Sequence, residues 1–273
     1  MNKERHYLSE IVLLTKSYNL QDFKDWCHWH LNIIGFDHIH VFDNESSVDI
    51  KSICDTYGNK ISYEKIIGWP NQYELYNRYI NNKSKAWWVL TLDDDEFLYV
   101  SDKYAHNVNN ALLNISIDKK WNKIAIGWRN LFPKKYIKER ENNCLILNST
   151  GYNHDACKHW QMGDRPVKTF VKRICEYKWN ITRGHNPYGN GDTFTLNNEK
   201  LQSNWQKKPT TGNEDLIIFH YQFKSDNEWI WKCKNRKSPT NKNNKKDFPD
   251  YYKRLYNNKI NEDLRMKNLF LKF

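Results

Sequence analysis

The stretch that decides the fold is Trp88-Val-Leu-Thr-Leu-Asp93-Asp-Asp-Glu-Phe-Leu98, an apolar, branched run that ends in four consecutive carboxylates. Such a run predicts a strand that is buried on both faces, as in a parallel sheet. Ligands of open α/β sheets bind outside the carboxyl ends of these strands. Adjacent carboxylates repel one another, and their oxygens suit Mg²⁺ or Mn²⁺. The stretch therefore predicts a cation site at the edge of the sheet, with a solvated acidic turn as the alternative.

Short apolar strands and amphipathic helices alternate over the first hundred residues. The pattern predicts strands at 11–15, 38–42, 61–67 and 87–92 and helices at 20–34, 46–57 and 73–80. Ser46 or Ser47 is the expected cap of the second helix. Alternation with short links indicates an α/β fold with a doubly wound, mostly parallel sheet. Later strands are predicted at 124–128, 169–172 and 215–221, between polar stretches 133–165 and 176–215 that are typical of substrate loops.

The net charge of +11 is concentrated at the C-terminus. Residues 232–273 hold 13 Lys and Arg against 4 Asp and Glu, which leaves only +2 for the preceding chain. This distribution predicts a main domain over 1–236 and a basic helical extension over 237–273 packed on it. The extension is expected to contact an anionic membrane or glycan surface, with a solvated tail as the alternative. Because the surplus is confined to the tail, no nucleic-acid partner is expected.

Cysteine usage and the polar start indicate a cytoplasmic, soluble protein, with at most a peripheral membrane contact. The six cysteines form no CxxC pair. Cys27 and Cys54 fall on the apolar faces of predicted helices, where a free thiol acts as a small hydrophobe. The sequence from Met1 to His6 is polar and is followed by no signal peptide or membrane-length apolar run.

Three further polar positions follow predicted strands. Asp43 at the end of the second strand suits a nucleotide base or ribose hydroxyl, or else an Asx turn. His220 at the end of the last strand suits a metal through its neutral imidazole, or else a structural role. Lys224 follows it and suits a diphosphate. The chain has no glycine-rich phosphate loop, so bound phosphates would need a metal together with Lys or Arg.

Taken in order, these motifs resemble glycosyltransferases of the GT-A fold, of the family 2 and family 92 type. The resemblance spans about residues 10–236, and the DxDEF and HYxxKS elements carry it. Ser17-Tyr18 departs from the Asn-Glu pair of that family. Many animal and plant members have a membrane anchor, so this chain is more similar to a soluble bacterial or viral form. The matching positions are Lys16, Asp25-Trp26, His30, Gly35, 43–49, Gln72, Tyr76, Trp88, 93–97, 168–171, His185, His220-Tyr221, Lys224-Ser225, Lys232 and Arg236.

The resemblance implies a metal-dependent, inverting transfer of a sugar from a nucleotide-diphosphate sugar to a hydroxyl of a glycan or glycoprotein. A UDP-sugar is the expected donor, because Asp43 suits a pyrimidine edge or ribose hydroxyl. The expected ligands of Mn²⁺ or Mg²⁺ are Asp93, Asp95 and His220. The expected donor-binding residues are Lys16, Asp43, Asp93, Asp94, Lys168 and Lys224. Asp192 is the expected catalytic base, with Asp155, Asp164 and Asp215 as rival candidates.

Two other functions use some of the same features. A metal-dependent nuclease or phosphotransferase would use the same acids, but it favours carboxylates dispersed over several strands and a basic groove beside them. A non-catalytic nucleic-acid-binding module would account for the sequence pI of about 9.2 and the 15% aromatic content, but it has no need for residues 93–96. The motifs therefore favour the transferase, with the metal-dependent nuclease as the alternative.

Overall fold

The computed structural model of the chain describes residues 6–68, 70–116, 121–152, 167–173, 192–201, 214–235 and 260–273. Its strands are β1 Tyr7–Thr15, β2 His38–Asp43, β3 Ile61–Lys65, β4 Ala86–Leu92, β5 Glu96–Val100, β6 Lys123–Asn130, β7 Gly151–Tyr152, β8 Val167–Lys172, β9 Thr193–Thr195, β10 Lys200–Leu201, β11 Leu216–His220 and β12 Asn261–Glu262. Its helices are α1 Leu20–His28, α2 Ile50–Thr56, α3 Gln72–Asn82, α4 Val108–Ser116, α5 Leu145–Asn148, α6 Asp226–Asn235 and α7 Arg265–Phe270.

The central sheet is mostly parallel. Strands β3, β2, β1 and β4 lie side by side in that order and all run parallel. This 3-2-1-4 order is typical of the nucleotide-binding half of doubly wound folds. Strand β8 pairs antiparallel with both β4 and β6, so β6 runs in the direction of β4. Strand β11 continues parallel to the end of β6 and pairs antiparallel with β5. The predicted α/β class with a mostly parallel sheet is confirmed.

Helices cover both faces of this sheet, because successive side chains of a strand point to opposite faces. On one face α3 packs on a cluster that contains Val12, Phe42 and Val89. On the other face α1, α2 and α4 pack on the cluster of Ile11 and Leu13. Helix α1 is tied to β5, since the Trp26 indole donates to the Glu96 carbonyl over 2.8 Å. A π turn over Trp29–Ile33 then continues α1, and Gly35, with a φ of +79°, follows its end.

The structure corrects two local predictions. Helix α2 begins at Ile50, because Asp49 caps it by accepting the Ser52 amide, whereas the Ser46 hydroxyl accepts the Ser17 amide instead. The second difference lies in the polar stretch 176–215, which was expected to be loop. Strands β9 and β10 form within it and extend the sheet beyond β6. The Cys27 and Cys54 thiols are buried and free, as predicted, and burial raises the pKa of Cys54 to about 12.

The end of the chain belongs to the main core. Strand β12 pairs with β7, and α7 places Met266 and Leu269 in the same cluster as the central strands. Asp263 forms a buried ion pair of 2.6 Å with Arg129. Residues 260–273 therefore contact the central core, and the Arg265 guanidinium lies over the Phe219 ring at 5.4 Å. The sequence also predicts an apolar helical stripe that includes Tyr252, Leu255 and Tyr256, and these residues and the predicted boundary at 236 lie outside the described residues.

The described helices do not reach the length and apolar character that crossing a membrane requires.

Candidate functional site

The acidic turn joins β4 to β5 at the carboxyl edge of the parallel strands. Its first and last members share one lysine. The Lys168 ammonium lies 3.2 Å from Asp93 Oδ2 and 3.0 Å from Glu96 Oε2, and Gln72 donates to the other oxygen of Asp93. Burial raises the pKa of Glu96 to about 8 even though Lys168 acts to lower it. Lys168, expected near phosphate, therefore relieves the repulsion between two carboxylates of the turn.

The two middle carboxylates point elsewhere. Asp94 accepts a hydrogen bond of 2.6 Å from the Thr15 hydroxyl at the end of β1. Asp95 Oδ2 lies 2.7 Å from the Lys232 ammonium on α6, and its Oδ1 lies 3.4 Å from His220 Nε2. Burial alone would raise the pKa of Asp95, but Lys232 and then His220 hold it well below its usual range. Asp95 is therefore ionised. One of its oxygens faces the ammonium nitrogen of Lys232, and the other faces an imidazole nitrogen of His220.

His220 is oriented from behind by Asn130. Its Nδ1 lies 3.0 Å from Asn130 Oδ1, and the Trp128 ring lies against the imidazole at 4.4 Å between centroids. When Nδ1 donates to the Asn130 carbonyl oxygen, Nε2 is left with the lone pair that binds a metal. The contact from Asn130 was missed in the sequence, because its position after a strand carries no signal that distinguishes it from other polar residues.

A small cleft opens beside Asp94 and Asp95. The loop after β1, the start of α1 and the segment from Gln222 into α6 form its walls. Lys224 and Lys232 both line it, and Lys224 Nζ lies 2.6 Å from Asp22 on α1. The cleft thus brings two lysines beside the acidic turn.

A buried arginine side chain joins two acids that line the cleft. The side chain of Arg140 is only 6% exposed, and its guanidinium contacts both oxygens of Asp22, at 2.8 and 3.2 Å. It also lies 2.8 Å from Glu228 on α6, which in turn accepts from the Tyr18 hydroxyl. Burial would raise the pKa of Asp22, but Lys224 and Arg140 lower it below its usual value. Sequence reasoning missed this network because its members lie in three distant parts of the chain.

Carboxylates outnumber permanent cations in the cleft and the acidic turn, within the described residues. The acids are Asp22, Asp93, Asp94, Asp95, Glu96 and Glu228, and the cations are Lys168, Lys224, Lys232 and Arg140. The excess persists when Glu96 is protonated. An anionic ligand such as a diphosphate therefore needs additional positive charge to bind here.

The structure brings most of the predicted site residues to one edge. Asp93, Asp94, Asp95, Lys168, His220 and Lys224 meet there through the contacts given above, and Lys16 follows β1 at the same edge. Asp43 also ends its strand there, but its Oδ1 accepts the Ser46 amide at 2.9 Å and its Oδ2 accepts the Tyr63 hydroxyl at 2.7 Å. Both oxygens of the Asp43 carboxylate therefore have partners within the chain.

The expectation that Asp192 is the catalytic base is corrected by its position. Asp192 precedes β9, whose first residue pairs with Lys123 at the start of the parallel strand β6. It therefore lies at the amino edge, opposite the acidic turn, where Lys200 pairs with it at 2.8 Å. Asp215 precedes β11 at that same edge and bonds Ser101 and Lys103. Four further positions named from the sequence lie outside the described residues, namely Asp155, Asp164, His185 and Arg236.

Only part of the predicted metal set is assembled. In the described ranges no three His, Cys, Asp or Glu side chains are arranged to hold a metal. Asp93 faces Lys168, whereas Asp95 and His220 offer one oxygen and one nitrogen 3.4 Å apart. Mg²⁺ is commonly held by one or two carboxylates together with substrate phosphates and waters. The pair therefore fits a cation that is shared with a phosphate ligand, but not a cage made of protein groups alone.

No family model matches the chain, and no curated protein matches it. Among solved structures, S. aureus TarS 1-349 in complex with UDP has a TM-score of 0.35 and 13% identity over 63% of this chain and 51% of its own. The 4-diphosphocytidyl-2C-methyl-D-erythritolsynthase from Anaerococcus prevotii has a TM-score of 0.33 and 13% identity, and the match covers 60% of this chain and 70% of that enzyme. A mycobacterial protein has a TM-score of 0.32 and 15% identity, and the match covers 45% of this chain and 42% of that protein. The chain thus spans about half or less of the staphylococcal and mycobacterial chains, and its fold class rests on its own strand order.

Proposed function

We propose that the protein is a metal-dependent glycosyltransferase that moves a sugar from a nucleotide-diphosphate sugar to a hydroxyl of a glycan or glycoprotein, with inversion. One observation carries the proposal: Asp95 stands between His220 and Lys232 at the carboxyl edge of a 3-2-1-4 sheet. Sheets of this order bind nucleotides at that edge. An acid, an imidazole and an ammonium group are the side chains that a cation and a diphosphate require there.

Asp95 and His220 are the residues that would hold Mn²⁺ or Mg²⁺. When bound, the ion neutralises charge that develops on the leaving nucleoside diphosphate. Lys224 and Lys232 line the cleft and would supply permanent positive charge to the phosphate oxygens. Asp93, oriented by Lys168 and Gln72, is proposed to contact the ribose. A UDP-sugar remains the proposed donor.

An inverting transfer needs a carboxylate that accepts the proton of the attacking hydroxyl. Asp192 and Asp215 lie at the opposite edge, so the base is sought among the cleft acids. Asp22 is held by two cations that lower its pKa, which makes it a weak proton acceptor. Glu228 lines the same cleft, and the Ser225 hydroxyl donates a hydrogen bond to its Oε2. A carboxylate oxygen has two lone pairs, so Oε2 can accept a second proton donor. We therefore propose Glu228 as the base.

A thermal-shift series tests this function. UDP, GDP and CMP would each be added with and without Mn²⁺, since a ligand of the native state raises the melting temperature. We expect the largest shift with UDP and Mn²⁺ together, and release of UDP from a UDP-sugar in the same buffer. Asp95→Asn should remove the Mn²⁺-dependent part of the shift, whereas Asp102→Asn, an exposed acid beyond β5, should retain it. Full activity in excess EDTA would refute the metal, and tighter binding of GDP would refute the choice of donor.

A further inference from the structure

Lys232 stands where a cation bound to Asp95 would stand. Its ammonium lies 2.7 Å from Asp95 Oδ2, and the carboxylate side chain is only 5% exposed. The other oxygen of Asp95 faces His220 Nε2 at 3.4 Å. The carboxylate that is proposed to bind a metal is therefore already neutralised by a group of the chain itself.

A divalent cation and the ammonium cannot both keep this place. A metal held by Asp95 would contact a carboxylate oxygen directly, at about 2.0–2.1 Å in the case of Mg²⁺. The Lys232 ammonium in its present position would then lie within a few ångströms of the doubly charged metal ion. The site is shielded from water, so the repulsion between them would be strong. Lys232 must therefore leave Asp95 when the metal arrives.

Lys232 can leave without disturbing its helix. A lysine carries a compact charge on a flexible four-carbon stem, so its ammonium can turn while the backbone stays in place. The first turn of α6 is fixed separately, because Glu228 is held by Arg140 at 2.8 Å and by the Ser225 hydroxyl at 2.7 Å. Lys232 also lines the cleft, so an ammonium released from Asp95 remains where the diphosphate of a donor would lie.

We propose that Lys232 is a placeholder for the metal: its ammonium neutralises Asp95 in the empty enzyme and moves to the donor diphosphate when the divalent cation binds. Lys232 is thus a positioning residue that couples cation entry to donor binding. The inference rests on the proposed function, since it needs a divalent cation and a diphosphate. It predicts effects of opposite sign, because loss of Lys232 removes a competitor of the metal and also removes a partner of the donor.

Mn²⁺ binding in the absence of nucleotide is the first measurement, with free Mn²⁺ followed by electron paramagnetic resonance. Lys232→Met should bind Mn²⁺ about tenfold more tightly than the parent protein, the gain expected if Asp95 is free in about one molecule in ten. UDP binding at saturating Mn²⁺, measured by calorimetry, should instead weaken in Lys232→Met. Lys232→Arg, which keeps the charge, should restore part of the UDP affinity. Lys234→Met removes one charge from an exposed position of the same helix and should change neither affinity.

The outcomes separate this inference from the function on which it rests. Equal or weaker Mn²⁺ binding by a folded Lys232→Met, as judged by its melting temperature, would refute the placeholder. If Lys232→Met binds Mn²⁺ more tightly but binds UDP as the parent protein does, the proposed movement of the Lys232 ammonium to the diphosphate is refuted. If the parent protein and the variant both fail to bind Mn²⁺ even with UDP present, the metal-dependent function itself is wrong.

Discussion

Replacement of Arg140 by methionine tests how the wall of the cleft is held. The change removes the contacts to Asp22 at 2.8 and 3.2 Å and to Glu228 at 2.8 Å while it keeps much of the buried side-chain volume. Removal of one partner from a buried ion pair costs about 3–5 kcal/mol. Asp22 keeps Lys224, and Glu228 keeps Tyr18 and Ser225, so we expect a loss near the lower limit, about 3 kcal/mol.

The loss should depend on pH in a defined direction. The pKa of Asp22 is lower in the folded protein than in the unfolded chain, so its ion pairs contribute fully above the unfolded value of about 3.9. That contribution disappears as the pH falls through the lower, folded pKa. The difference in stability between the parent protein and Arg140→Met should therefore be largest near neutral pH and shrink below about pH 4.

Urea unfolding followed by tryptophan fluorescence measures both effects. Lys135→Met, at an exposed position of the same segment, is the matched control and should change the free energy of unfolding by less than about 0.5 kcal/mol. A double-mutant cycle with Asp22→Asn should show a coupling energy of about 0.5–3 kcal/mol. A cost for Arg140→Met below about 1 kcal/mol, or a cycle without coupling, would refute the view that this arginine holds the wall.

Three further predictions address the site and the core. Asn130→Ala should weaken Mn²⁺ binding about 10- to 100-fold, because His220 loses the partner that orients it, and calorimetry measures this. Glu228→Gln should keep UDP binding but slow transfer about 10²- to 10⁴-fold, and an unchanged rate would exclude it as the base. Leu269→Ala should cost about 2–5 kcal/mol in urea unfolding, whereas Leu271→Ala, at a residue that is 63% exposed, should cost little.

The sequence predicted the fold well where one local pattern decides each element. The apolar run before Asp93 marked β4 as a buried strand, and the alternation of two periods indicated the parallel order around it. The candidate site residues that end strands, such as His220, were placed at one edge for the same reason. The sequence shows which residues lie at the end of a strand. When the strands are parallel, all of these residues lie at the same end of the sheet.

The partners of those residues were not predictable from local patterns. Arg140 and Asp22 are 118 positions apart, and no periodicity links a loop arginine to a helix acid. Asp192 was misplaced because its position in a glycine-rich loop, shortly before the strand that carries His220, suggested that it lies near the site. The directions of β9 and β6 decide its location, and pairing between strands cannot be read from either strand alone.

Strand β8 runs against both of its neighbours, so its two ends lie at opposite ends of the parallel strands. Because β8 runs against its neighbours, the chain reaches it at Val167, on the side of the acidic turn, and leaves it after Lys172, on the far side. A substitution at Lys168 would therefore be felt at the acidic turn, which this lysine contacts. A substitution at Lys172, four residues further along, would be felt beside Trp88 near the opposite end of the strands, so one short strand offers the site and the scaffold as separate targets for engineering.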